Sequence, residues 1–295
     1  MKYRTDLAVE NIESLSESGV RPGEKDGVII EKEQIDEDIR VTCVDVVNMK
    51  GEVLMGKPQG RYVTIEVDGI IDEKDGIKER AARALSKELG KMIRHRYGLK
   101  VLVVGLGNEN VTPDSLGPAT LDKVRITSHL FRIFERDGDH EMSDVSGIAP
   151  GVTATTGMET AELIKKTVEM IQPDAVIAID ALAARNIERV STTIQLSDTG
   201  IAPGAGMGNM RKELNEETLG IKVIAVGVPT VIDSKTVILE ALEELQVPES
   251  DAASYFDGRG FDMVVTSTDI DLITASFSDI IANAVNITLH PGIYS

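Results

Sequence analysis

Two aspartates follow short apolar segments, at positions where a carboxyl group is either used in chemistry or held by a hydrogen bond. Asp180 comes directly after residues 175–179, and Asp114 lies in the loop after residues 101–104. A charge is costly next to apolar neighbours unless it is paired, bonded or functional. For Asp180, function and a bond to loop amides explain the position equally well. For Asp114 the pattern favours an ordinary helix N-cap, because Thr-Pro-Asp precedes an apolar helical segment.

If Asp114 and Asp180 meet at the ends of neighbouring strands, they could form an acid–base pair. Two close carboxyl groups do not both ionise easily, so the pKa of one rises and that of the other falls. The ionised group could then take a proton from water while the protonated group donates one to the substrate. The pair titrates as a unit, and the two roles stay unassigned. A metal site made from both aspartates and a third group stays open.

Other catalytic chemistries have weak support. The sequence contains no Gly-x-Ser-x-Gly motif, and its four histidines lack the spacing of a zinc site. The strand–loop segment at Gly105-Leu106-Gly107 begins like a dinucleotide-binding motif, but Asn110 stands where the third glycine would be. We therefore expect no metal and no cofactor.

The elements that must position these residues alternate between strand and helix. Solid apolar runs predict parallel strands covered on both faces, with helices between them. The predicted strands are 101–105, 175–179 and 223–227, and the predicted helices are 73–97, 116–123, 158–171, 234–245 and 269–288. This order predicts an α/β fold with a doubly wound, mainly parallel sheet and helices on both faces. Such sheets bind ligands beyond the carboxyl ends of their strands.

Three regions fall outside this alternation. Residues 28–67 alternate apolar with polar and predict antiparallel strands that extend the sheet. Residues 1–26 are polar and weakly periodic, and they resemble an arm rather than a core element. The acidic stretch 247–262 is the best candidate for a mobile loop. No linker divides the chain, so we expect a single domain.

Composition excludes several classes of partner. The 295 residues carry a net charge of −18, which argues against nucleic acid and anionic membranes because phosphate binding needs a basic face. The single cysteine, Cys43, lies in an alternating strand-like run and is expected to be a buried structural thiol in a reducing compartment. No apolar run approaches about 18–20 residues and no leader is evident. We therefore expect a cytoplasmic protein with no membrane span.

The motifs, taken in order, resemble those of the spore germination protease family. The segments that carry the resemblance are Val-Gly-Leu-Gly-Asn at 104–108, Val-Thr-Pro-Asp-Ser-Leu-Gly-Pro at 111–118, Ala-Pro-Gly-Val at 149–152, Thr-Gly-Met-Glu-Thr at 156–160, Ala-Ile-Asp-Ala-Leu-Ala-Ala-Arg at 178–185, Ser-Asp-Thr-Gly-Ile at 197–201 and Gly-Val-Pro-Thr-Val at 227–231. Residues 4–10 resemble the family's processing segment. The resemblance extends from about residue 3 to His290.

The resemblance implies an aspartic-type endopeptidase that starts the degradation of small acid-soluble spore proteins during germination. It also implies a zymogen that cleaves itself between Asp6 and Leu7, a homotetramer without a required metal, and a place in the spore core cytoplasm. Residues 1–6 would be a short propeptide and residues 7–295 a single peptidase domain. By motif, the catalytic residues would be Asp114 and Asp180. The substrate-binding candidates are Arg185, Asn108 and Asp198.

Two departures from the family pattern and one alternative accompany these expectations. The leader before Asp6 is shorter than usual, and the region 229–263 is compact. Arg185 follows Asp180 closely and is the nearest cation for an acidic residue before the cut, although a surface salt bridge is the safer explanation. The same strand-end segments also resemble the hydrogenase maturation proteases. The alternative is therefore a metal-binding hydrolase or a maturation-type protease on the same fold.

Overall fold

One nine-stranded mixed sheet organises the chain. A computed structural model describes residues 5–133, 141–203, 212–246 and 263–294. Its strands are β1 (Val28–Gln34), β2 (Ile39–Val46), β3 (Gly60–Val67), β4 (Lys100–Gly105), β5 (Asp144–Ile148), β6 (Ala175–Ala184), β7 (Thr193–Ser197), β8 (Lys222–Asp233) and β9 (Val264–Val265). Its α-helices are α1 (Ala8–Glu17), α2 (Met49–Met55), α3 (Ile77–Met92), α4 (Leu116–Leu121), α5 (Ser128–Ile133), α6 (Thr153–Thr156), α7 (Thr160–Ile171), α8 (Glu216–Leu219), α9 (Ser234–Glu244) and α10 (Ile270–Leu289).

The strand order is β1-β2-β3-β7-β8-β6-β4-β5, with β9 paired to β8. The β8-β6-β4-β5 half is parallel, whereas β1, β2, β3 and β7 join it through antiparallel pairs. The predicted α/β class, the parallel core and the antiparallel N-terminal extension are all confirmed. The stretch 247–262 lies outside the described residues.

The expectation that Asp180 ends its strand is wrong. β6 continues to Ala184, because β8 is also long and pairs with it through residue 232. The neighbour on the other side, β4, pairs with β6 only as far as Ile179. Asp180 is therefore the first residue of β6 beyond the end of β4, which places it at the carboxyl edge of β4 although not of its own strand.

The expectation that residues 1–26 form a polar arm is also wrong. They contain α1, and Leu7 and Ala8 at its start are fully buried. Leu7 packs with Leu182 and Ala184 of β6, whereas Ala8 packs against the β1–β2 face near Val28. The apolar residues that begin the helix are enough to anchor it, because burying one such side chain stabilises the fold by roughly 1.5–3 kcal/mol.

The main core lies on one face of the sheet, under α3 and α10. Helix α10 is long and apolar enough to cross a membrane by length and composition, so the expectation that no such run exists is wrong. However, 72% of that stretch is buried inside the protein, with Phe277 fully enclosed, as in a core helix. Lys123, just after α4, donates to Asp279 of α10, and the Asn286 side chain accepts from the Arg125 backbone N–H. These bonds tie α10 to the α4 region.

Candidate active site

Asp180 lies in the middle of the sheet and is only 3% exposed. Its Oδ1 accepts a 2.9 Å hydrogen bond from the backbone N–H of Ala181. The strand alternates its side chains, so Asp180 and Leu182 point to the same face, and this face holds the beginning of α1. A backbone amide thus binds the carboxylate, as one of the two explanations of its position predicts.

A cavity of about 210 Å³ opens on this carboxylate. It is formed by β6, β7 and β8, by the turn between α2 and β3, and by the segment that leads into α1. Its polar and charged lining includes Asp6, Lys57, Tyr62, Asp180, Gln195 and Glu213. A concave site with a few converging polar groups is the usual form of an enzyme site.

Asp114 lies near this edge of the sheet but does not belong to the described lining of the cavity. It ends a single 3₁₀ turn, Thr112–Asp114, that packs near β6 and β8. Its Oδ2 accepts from the backbone N–H of Asn108 at 2.9 Å. Ser115 takes the N-cap position of α4, so the helix-cap explanation of Asp114 is wrong. The catalytic role of both aspartates stays a prediction.

The three substrate-binding candidates make local structural bonds. The side-chain oxygen of Asn108 accepts from Asn110 N–H at 3.0 Å. Asp198 Oδ1 accepts from Arg61 N–H at 2.7 Å and joins the end of β7 to β3. Arg185 is 8% exposed and donates to Glu17 of α1 at 2.9 Å. Within the described residues none of the three lines the cavity, and their role in substrate binding stays a prediction.

The predicted processing segment runs along β6. Asp6 N–H donates to the Ala183 carbonyl at 3.1 Å, and Ala183 N–H donates to the Asp6 carboxylate at 2.8 Å. Ala8 N–H donates to Gln195 Oε1 at 3.1 Å. The Asp6–Leu7 peptide is thus held on both sides at a cavity that Asp180 lines. In this segment the Asp6 carboxylate is bound by the backbone N–H of Ala183.

Glu10 fixes this segment from inside α1. It is 1% exposed and accepts from the backbone N–H groups of Arg185 and Asn186 at 2.8 and 2.9 Å. Thr5 Oγ1 also donates to it. Burial raises the pKa of Glu10, whereas these hydrogen bonds and Arg189 act in the opposite direction. The end of β6 and the start of α1 therefore form one bonded unit.

Sequence reasoning missed Lys57, the cation of the cavity. It follows Gly56, whose left-handed conformation (φ 62°) ends α2 and turns the chain inward. Its Nζ donates to the Asp6 carbonyl at 3.0 Å and lies 5.7 Å from the centre of the Tyr62 ring. Burial lowers the pKa of Lys57, while Asp6 and Glu10 oppose that change. A lone lysine in a Gly-Lys-Pro turn offers only a weak signal in the sequence.

Tyr62, in the lining of the cavity, makes the free energy of unfolding depend on pH. Its hydroxyl donates to the Pro58 carbonyl at 2.8 Å, and burial raises its pKa to about 12, against about 10 in an unfolded chain. Between these values the folded chain keeps a proton that the unfolded chain has lost, so stability falls as pH rises from about 10 to about 12.

Urea unfolding at a series of pH values should show a smaller loss of stability over this range for Tyr62→Phe than for wild type. Tyr97→Phe, at a half-exposed position, is the control and should follow wild type.

In the parts of the chain that the structure describes, no group of three or more His, Cys, Asp or Glu side chains is placed to hold a metal ion. Cys43 is buried in β2, as expected of a structural thiol.

Fold and cavity together define an α/β protein with a carboxylate-bearing cleft against which its own N-terminal segment lies. The chain belongs to the germination protease family, whose model matches residues 6–246. It is 43% identical to a germination protease of Clostridium perfringens over 98% of this chain and 95% of the relative. It is 41% identical to a germination protease of Clostridium tetani over 99% of this chain and 97% of the relative. It is 48% identical to one of Oceanobacillus iheyensis over 82% of this chain and 67% of the relative. The chain is therefore a protease, and the predicted family is confirmed.

Proposed function

We propose that this chain is an aspartic-type endopeptidase that begins the degradation of small acid-soluble spore proteins, and that it is made as a zymogen that cuts its own Asp6–Leu7 bond. In this proposal Asp180 and Asp114 form the acid–base pair that activates water. The homotetramer and the spore core location belong to the same proposal and rest on the family resemblance alone.

One observation carries the self-processing part. The Asp6–Leu7 peptide is paired with β6 three residues from Asp180, and both Asp6 and Asp180 line the same cavity. A bond fixed beside a catalytic group reacts as a unimolecular system, which lowers the barrier by several kcal/mol. The bonds that hold Asp6 and Ala8 come from the same chain, which supports cleavage within one molecule.

The same geometry supports a preference for an acidic residue before the cut. The Asp6 carboxylate accepts from Ala183 N–H at 2.8 Å, and a charge-assisted bond of this kind is stronger than a neutral one. A protein substrate with an acidic residue in this place would use the same N–H. The mature chain, with residues 1–6 gone, would offer that N–H to it.

Mass spectrometry of the purified full-length chain, sampled over time, tests the proposal. We expect release of residues 1–6 with a first-order rate that does not change over a hundredfold range of protein concentration, because the bond is held within the same chain. Addition of a chelator should leave the rate unchanged. A stable full-length mass under conditions in which the protein cuts a spore-protein substrate would overturn the zymogen part. Loss of cleavage with a chelator would favour the metal-binding hydrolase.

A further inference from the structure

Lys57 contacts the one atom at which negative charge would develop when the Asp6–Leu7 bond is cut. Its Nζ donates to the Asp6 carbonyl oxygen at 3.0 Å, and that oxygen belongs to the peptide bond between Asp6 and Leu7. The neighbouring groups fix its position: β6 binds Asp6 on both its N–H and its carboxylate, and Gln195 binds Ala8. The carbonyl therefore cannot turn away from the ammonium group without breaking several bonds.

We propose that Lys57 is a catalytic residue that stabilises the oxyanion formed during peptide hydrolysis in this cavity, for the Asp6–Leu7 bond and for substrate bonds bound in its place. This role rests on the proposed function, since it needs Asp6–Leu7 to be the bond that is cut. A fixed cation aimed at developing negative charge is the most effective kind of electrostatic catalysis, because it needs no reorganisation as the reaction proceeds.

The step balances with groups that the proposal already names. Water adds to the Asp6 carbonyl carbon and gives one proton to the ionised member of the aspartate pair. The C=O electron pair moves to the oxygen, and the resulting oxyanion accepts a hydrogen bond from the Lys57 ammonium. The C=O then re-forms, the C–N bond breaks, and the carboxyl pair returns a proton to the Leu7 nitrogen. The products are the Asp6 acid and the Leu7 amine.

The surroundings of Lys57 suit this role. The titratable groups near Lys57 include Asp6, Tyr62, Asp180 and Glu213 in the lining of the cavity. Glu10, buried in α1, also acts on its charge. Burial lowers the pKa of Lys57, and Asp6 and Glu10 act against that change. Lys57 therefore loses its charge at a lower pH than an exposed lysine does. Lys57 is half-buried, so solvent screens its interaction with the oxyanion less than it would at the surface.

Variants of the full-length chain test the role in the mass-spectrometric processing assay. We expect Lys57→Met to slow the release of residues 1–6 by about 10²–10³-fold, the effect of removing one oxyanion donor. Lys50→Met, at an exposed lysine of α2 paired with Asp26, is the matched control and should process at the wild-type rate. The wild-type rate should fall on an alkaline limb as Lys57 loses its proton. Lys57→Arg, which does not lose its charge, should move that limb to higher pH, an effect that a merely structural lysine would not produce.

The outcomes of this assay distinguish the catalytic role of Lys57 from the proposed self-processing activity. If the wild-type chain releases residues 1–6 and both Lys57→Met and Lys50→Met do so at the same rate, the catalytic role of Lys57 is overturned and the proposed function stands. A wild-type chain that never releases residues 1–6 overturns both. If Lys57→Met fails to fold by circular dichroism, the alkaline limb of Lys57→Arg decides: an unchanged limb contradicts the role.

Discussion

Replacing Asp180 by Asn should reduce both self-processing and substrate cleavage by about 10³-fold or more, because a general base in the transition state contributes roughly 10²–10⁴-fold. The substitution keeps shape and size, and the Asn side-chain oxygen can still accept the bond from Ala181 N–H that the carboxylate accepts at 2.9 Å. Stability should therefore change little. The first-order rate of release of residues 1–6, measured with the melting temperature, checks both parts.

Asp174→Asn is the matched control. Asp174 directly precedes β6, at the opposite end of the strand from the cavity, and pairs with Arg96 on the surface. Its activity should stay within about twofold of wild type, since an exposed ion pair contributes roughly 0–1 kcal/mol. Full activity in Asp180→Asn would remove Asp180 from the mechanism.

Asp114→Asn in the same assay asks whether the two aspartates act together. Residues that act as one catalytic unit give strongly non-additive losses. We expect the double variant with Asp180→Asn to be about as slow as the slower single variant. Multiplied losses would mean that Asp114 works separately, for example by holding the Asn108 loop that its carboxylate binds.

The second large effect concerns Gly117, the second residue of α4. An added Cβ would lie 2.2 Å from the Leu106 carbonyl oxygen, 2.4 Å from the Leu106 nitrogen and 2.5 Å from the Ile179 carbonyl oxygen. All three atoms are backbone at the junction of β4 and β6, where Leu106 N–H also donates to Ile179. Because backbone cannot move aside cheaply, Gly117→Ala should lower the free energy of unfolding by about 3 kcal/mol.

The loss should extend to activity, because α4 directly follows the turn that carries Asp114 and packs on β6 next to Ile179, the residue before Asp180. Gly90→Ala in α3 is the control: an added Cβ there meets no described atom within 4 Å, and alanine favours a helix over glycine by roughly 1 kcal/mol. Urea unfolding of both variants, with the processing rate of each, checks the prediction. Wild-type stability in Gly117→Ala would mean that α4 does not lie this close to the sheet.

Sequence pattern predicted the parts of the fold in which local periodicity and long-range packing agree. The apolar runs of β4, β6 and β8 are buried on both faces, so their composition alone indicates a parallel sheet. The sequence predicts that Asp180 lies at the carboxyl edge of the sheet, but not which strand ends there. The end of β6 depends on the length of its partner β8, and the pairing of strands cannot be recognised from a short stretch of sequence.

Two features of the site depend on contacts that no local pattern encodes. Lys57 reaches the cavity because β3 pairs with β7 and β7 with β8, which brings a turn from the N-terminal extension to the carboxyl edge of the parallel core. The burial of the residues that begin α1 cannot be predicted from the sequence for a different reason. Leu7, Ala8 and Val9 are a short apolar group at the start of an otherwise polar helix. Leu7 and Val9 are buried against Leu182 and Ala184, and Ala8 is buried against the β1–β2 face.

The packing of the Thr112–Asp114 turn depends on α10, which is synthesised after the other described elements. This helix packs on α3, on α4 and on the Thr112–Asp114 turn. A nascent chain already carries Asp6, Lys57, Asp114 and Asp180 while the turn that holds Asp114 still lacks its support. Since a domain folds as a unit, we expect the turn that carries Asp114 to take its packed position only after α10 has been made. In the proposed mechanism, which needs Asp114 beside Asp180, a nascent chain would then be unable to cut itself or the chains beside it.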